Sequence, residues 1–157
     1  MIDLAKVYDL ITQAFHTSND FFHWGDNAVI QGSLEHLPAP SKIAEFNDGD
    51  YFALVDASTV TPEKAGNSAL FNAHYYYSIV LCHVGKVGDI TQLRTDIANK
   101  FGEGWFTFWQ EQGNWKEDND NIFLKVDEIE SEFDIIAVSF VGTISHITTK
   151  GRQRLHG

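Results

Sequence analysis

Apolar positions recur along this chain with two periods, and the switches between them outline its elements. Over residues 2–16, Leu4, Val7, Tyr8, Ile11, Ala14 and Phe15 fall on one stripe at helical spacing, with Asp3, Lys6, Asp9, Thr12, Gln13 and His16 outside it. Thr17-Ser18-Asn19-Asp20 then supplies a stop. Residues 18–49 carry the weakest pattern. Phe21, Phe22 and Trp24 are apolar, Gly25-Asp26-Asn27 reads as a turn, and a short strand fits 28–31. Pro38 and Pro40 argue against regular structure around themselves. Asn47-Asp48-Gly49-Asp50 is a strong turn signal, and a strand fits 51–55. Thr61-Pro62-Glu63 resembles a helix start, which Gly66-Asn67 limits to a turn or two.

The best strand in the chain covers 74–84, rich in aromatic and β-branched residues and without Gly or Pro. Tyr75, Tyr77, Ile79 and Leu81 share one face; Tyr76, Val80, Cys82 and Val84 share the other. Both sets are largely apolar, which places this strand inside a sheet covered on both faces. After a turn at 85–88, Asp89 with Gln92 has capping-box spacing, and Ile90, Leu93, Ile97 and Phe101 form the buried face of a helix ending near Gly102. Three further strands are expected: 105–110, aromatic on both parities; 122–126, with Ile122, Leu124 and Val126 on one side; and 135–147. In the last, Ile136, Val138, Phe140 and Ile144 share a face against Ala137, Ser139, Thr143 and Ser145, and Gly142 reads as a bulge. Residues 112–121 read as a polar connection.

The connections among these last strands are too short and polar for crossover helices, so they should pair antiparallel. The expectation is a single α+β domain over 1–149, followed by a basic tail at 150–157. Its mainly antiparallel sheet would have about five or six strands, with an N-terminal helix and a second helix after the central strand.

Composition adds charge to this picture. Eleven Lys and Arg against 22 Asp and Glu give a formal charge of −11 over 157 residues. Such a surface repels nucleic-acid phosphates and anionic membranes and suits a basic protein partner. Between Lys116 and Asp134, two lysines against eight carboxylates leave the segment at −6. No basic leader precedes an apolar run at the N-terminus, and no run approaches membrane-spanning length, so a cytoplasmic protein is expected. Cys82, the only cysteine, sits in a strand and reads as a small buried hydrophobe.

Catalytic motifs are missing. The glycines at 85 and 88 make no phosphate loop, no nucleophile elbow occurs, and neither ordinary zinc signature is present. Asp118-Asn119-Asp120 begins like a calcium loop, but Ile122, Phe123 and Ile129 stand where oxygen ligands and Gly are required. His74 and His83 differ in parity and point to opposite faces of one strand, which disfavours a shared metal. No metal or cofactor is expected.

Charge and aromatics therefore lead the functional expectation: an inhibitor or immunity-type protein that neutralises a basic effector such as a nuclease. Trp109 and Trp115 would be its anchors, with Glu117, Asp118, Asp120, Glu128 and Glu130 as a charged rim. The alternative is a small-molecule site or enzyme pocket near the central strand, drawing on His23, Asp56, His74, Tyr76 and His83. Homo-oligomerisation through the aromatic strand stays open, because a self-association patch has the same composition as a partner patch.

Overall fold

The computed structural model describes residues 3–24, 27–60, 72–117, 125–129 and 134–147. It is a single α+β domain, as the hydrophobic patterning predicts, and its sheet is mostly antiparallel. Helix α1 (Leu4–His16) starts where the Asp3 carboxylate accepts the Lys6 N–H at 3.0 Å, and its stripe buries Val7, Leu10, Ile11, Ala14 and Phe15. A single turn, α2 (Asn19–Phe22), leads to the short β1 (Val29–Gln31). Another single turn, α3 (Pro40–Ile43), precedes β2 (Tyr51–Val60) and β3 (Asn72–Val84). Helix α4 (Ile90–Asp96) runs through a π-helical turn (Ile97–Phe101) into α5 (Gly102–Gln110). Strands β4 (Trp115–Glu117), β5 (Lys125–Ile129) and β6 (Ile135–Ile147) follow.

The described strands form one six-stranded sheet in the order β1-β2-β3-β6-β4, with β5 also pairing β6. β1 lies parallel to β2, and all other pairs are antiparallel. β3 is the centre, paired with β2 from Tyr51↔His83 to Val60↔His74 and with β6 along its whole length.

Five local expectations are corrected, the last of them at Gly142. Residues 105–110 are helical, not extended: Trp105, Phe108 and Trp109 stand at i, i+3 and i+4 and are buried together, so the helical period overrides the strand reading. Gly102 does not end the helix; the chain continues at αR geometry, and Gly104 lets α5 approach α1 closely, since a Cβ there would collide with the Thr17 hydroxyl. Pro40 does not exclude helix, because it occupies the first turn of α3, where its missing N–H is unneeded. Within 112–121, read as a connection, residues 115–117 form β4 on the edge of β6. The expected helix after Thr61, the start of the 122–126 strand and the basic tail lie outside the described residues.

One face of the sheet carries the helices. There Tyr75, Tyr77, Ile79 and Leu81 of β3 lie beside Ile144, Gly142, Phe140 and Val138 of β6. Trp105 is fully buried against Tyr77 and Phe140, both at 5.6 Å between ring centroids, and Phe15 of α1 meets Phe101 at 5.0 Å. The indole N–H groups of Trp105 and Trp109 find no hydrogen-bond acceptor among the described residues, a cost of about 1–3 kcal/mol each. Removing a buried Trp costs about 3–5 kcal/mol, so packing outweighs that penalty.

Gly142 is not a bulge. The β3–β6 register runs without interruption through Tyr77↔Gly142. The residue is Gly because the Tyr77 ring lies across it: a Cβ at position 142 would collide with the Tyr77 hydroxyl and approach its Cζ to 2.7 Å. Tyr77 Oη also donates to Glu117 Oε1 at 2.7 Å, so the ring cannot swing away without breaking that bond. Gly142→Ala is therefore expected to destabilise the fold by about 1–3 kcal/mol through overpacking. In urea unfolding the midpoint should fall at unchanged slope; an unchanged midpoint would show that Tyr77 relaxes freely.

Candidate functional site

Among the described residues the second face of the sheet is covered over only half its length, not throughout as the two apolar parities of β3 predict, and the reason is readable row by row across the three long strands. The rows Phe52–Cys82–Ala137 and Leu54–Val80–Ser139 lie beneath the β1–β2 crossover. Phe46 from that crossover stacks on Phe52 at 4.9 Å, and Gly32 lies over Leu54. The next two rows change character, to Asp56–Ser78–Val141 and then Ser58–Tyr76–Thr143. These residues line a solvent-open groove of about 390 Å³, together with the backbone of Ala57, Tyr77 and Gly142. Tyr76 is 56% exposed and Val141 66%, the two most exposed large hydrophobic side chains among the described residues. Asp56 is exposed and is the only charged side chain among the described lining residues.

In the following row, His74 is exposed and its Nδ1 lies 3.0 Å from Ser145 Oγ. Of the five residues considered for a pocket, the sheet thus brings Asp56, Tyr76 and His74 to one face. It does not bring His83 or His23 there. His83 lies on the helix-covered side, edge-on to Tyr51 at 5.1 Å, with Nδ1 3.3 Å from the Gly85 carbonyl. His23 is exposed at the end of α2 with a left-handed backbone, φ 53°. Burial, and then the Asp96 charge, raise the Tyr51 pKa, so the phenol beside His83 stays protonated. Among the described residues, no three His, Cys, Asp or Glu side chains converge as a metal site requires.

The residues considered as anchors and rim are distributed differently. Trp109 is buried, packed on Trp105 at 5.5 Å and Phe108 at 5.2 Å, and offers no exposed anchor. Trp115 is half-buried in β4 on the helix-covered side, stacked on His146 at 4.1 Å and tilted against Tyr75 at 5.9 Å. That stack partly buries the imidazole and lowers the His146 pKa. Glu117, on the same side, accepts the Tyr77 hydroxyl. The backbone of Glu128 pairs with Ile136 in the β5–β6 ladder. Asp118, Asp120 and Glu130 lie outside the described residues.

Ser58, Ser78, Val141 and Thr143 complete the groove, and none of them is a site residue by type alone. Their signal is the change along one parity of each strand: Phe52 and Leu54 give way to Asp56 and Ser58, and Cys82 and Val80 to Ser78 and Tyr76. Compared with known proteins, the chain matches no family model and no curated sequence.

Nucleophilic chemistry has no foothold at Cys82. Its side chain is fully buried under the crossover, and burial pushes the thiol up to about 12. Ellman's reagent at pH 8 is expected to leave native Cys82 unmodified and to titrate it stoichiometrically in denaturant. Rapid labelling of the native protein would place the thiol at the surface instead.

Proposed function

We propose that this chain is a small, acidic, cytoplasmic protein-binding module of the inhibitor or immunity type, which docks a basic effector such as a nuclease on the open half of its sheet. One observation carries the reading: Tyr76 and Val141 stand exposed beside Asp56 on three hydrogen-bonded strands, an aromatic anchor and a carboxylate held on a rigid platform. The formal charge of −11 supports a basic partner, since complementary charge accelerates encounter and rejects acidic competitors. Inhibition then follows by occlusion, with the covered effector surface losing access to its substrate. The reading uses no catalytic group on this chain and takes Tyr76, rather than Trp109 or Trp115, as its anchor.

Tyr76→Ala and Val141→Asp change solvent-facing side chains and should leave stability within about 0.5 kcal/mol of wild type. Both should weaken the complex, Tyr76→Ala by about 2 kcal/mol, chiefly through faster dissociation. The check is parallel capture on immobilised wild-type and variant chains, followed by binding kinetics and an activity assay with the purified captured protein. A basic protein lost by both variants, inhibited by the wild type and associating more slowly as salt rises, is the expected result. Equal retention by all three chains, or a captured protein of acidic charge, overturns the proposal.

A further inference from the structure

The groove has a more specific chemistry than a generic apolar patch. Its two rows lie about 7 Å apart along the strands and cross three strands at a spacing of about 4.8 Å, a small footprint in which a carboxylate, a ring and hydroxyls lie within reach of one bound side chain. The row Asp56–Ser78–Val141 sets a carboxylate, a small hydroxyl and an aliphatic wall side by side. The row Ser58–Tyr76–Thr143 sets an aromatic ring between two hydroxyl-bearing residues. Asp56 and Tyr76 are therefore diagonal neighbours on adjacent strands, both lining the groove and both exposed.

A carboxylate diagonal to an exposed ring selects for cations with a flat, delocalised charge. A guanidinium can lie on a phenol face while its N–H fork meets a carboxylate, and its remaining donors can reach surrounding hydroxyls. An ammonium satisfies the carboxylate but stacks less well on the ring, and it is more strongly hydrated. An anionic group is repelled by Asp56 and by the net charge of −11. A purely aliphatic group would strip water from Asp56 without pairing it.

We infer that the groove is the receptor for a single arginine side chain projecting from the partner, its guanidinium stacked on Tyr76 and paired with Asp56. The inference rests on the docking reading for the identity of the partner, and its chemistry can be tested without one. The aliphatic stem of the arginine lies against Val141, and the hydroxyls of Ser58 and Ser78 border the charged end.

The experiment is a ¹H–¹⁵N chemical-shift titration of the full chain with N-acetyl-arginine N-methylamide. The matched citrulline derivative supplies a neutral isostere, and the lysine derivative a different cation. The expected result is saturable shifts confined to residues 56–58, 76–78 and 141–143. Binding should weaken by about fivefold or more with citrulline, with Asp56→Asn and with Tyr76→Leu, and less with lysine. Equal binding of citrulline, shifts unchanged in Asp56→Asn, shifts centred elsewhere, or no saturable shift at all overturns the inference. The two levels separate cleanly. If blocked arginine fails while Tyr76→Ala still abolishes partner capture, the arginine receptor falls and the docking face stands. If arginine binds but partner capture ignores Tyr76→Ala, the docking face falls and the cation site remains.

Discussion

β3 is hydrogen-bonded on both edges, to β2 over ten residue pairs and to β6 over all thirteen of its residues, and the other layers are arranged to suit that constraint. Where β3 is paired on both edges, over residues 74–83, its backbone groups are taken up by the two ladders, so only its two side-chain faces remain to be assigned. On one face the alternation of Tyr75, Tyr77, Ile79 and Leu81 demands a continuous apolar cover. Helices α1 and α5 supply it. On the other face the demand is made only by Val80, Cys82 and Val84, and the β1–β2 crossover is long enough to answer that half. The open groove begins where the apolar demand stops.

The helical cover explains both the π turn and the glycines. Leu93, Ile97, Phe101, Trp105 and Trp109 are all buried, each four residues after the last. A step of four overshoots a 3.6-residue turn by about 40°, so a regular helix would carry Trp109 far around from Leu93. The π turn at Ile97–Phe101 absorbs one extra residue and returns the later side chains toward the sheet. Trp105 then reaches Tyr77 and Phe140, and Gly104 admits the end of α1. Tyr77 in turn fills the space left at Gly142 and holds Glu117, which ties β4 to the central strand. The aromatic side of the molecule is thus one connected packing problem, and Trp109 and Trp115 are parts of its solution.

That connectedness marks where the sequence was legible. Single-period segments declared themselves: the α1 stripe, the Asp89 cap, the parity of β3 and the long β6 all match the fold. Residues 105–110 did not, because Trp105, Phe106, Phe108 and Trp109 satisfy a buried strand as well as a helix, and Gly102-Glu103-Gly104 imitates a break. Close interhelical approach is a tertiary reason for glycine that no local pattern exposes. The candidate residues divide in the same way. Asp56 and Tyr76 could be placed near β3 by strand parity, but the groove also needed Val141 and Thr143, whose adjacency depends on a pairing some 65 residues distant in sequence. His23 and His83 carry chemistry-bearing side chains, but residue type alone says nothing of which face a fold will give them.

The half-covered face could be read as ordinary solvation, and its serines and threonine are consistent with that. Tyr76 and Val141 are not. A strand position facing water over its whole area gains nothing from an aromatic or a branched aliphatic side chain, and the same parity on β2 has already switched to Asp56 and Ser58. Charge bears on the choice in the same direction. A chain at −11 gains solubility from added carboxylates anywhere on its surface, yet the described groove holds one carboxylate set diagonally to one ring. Solubility is indifferent to such placement, whereas recognition of a planar cation depends on it. The same three-strand register that forces the aromatic core on one side therefore fixes, on the other, the geometry in which a ring and a carboxylate act together.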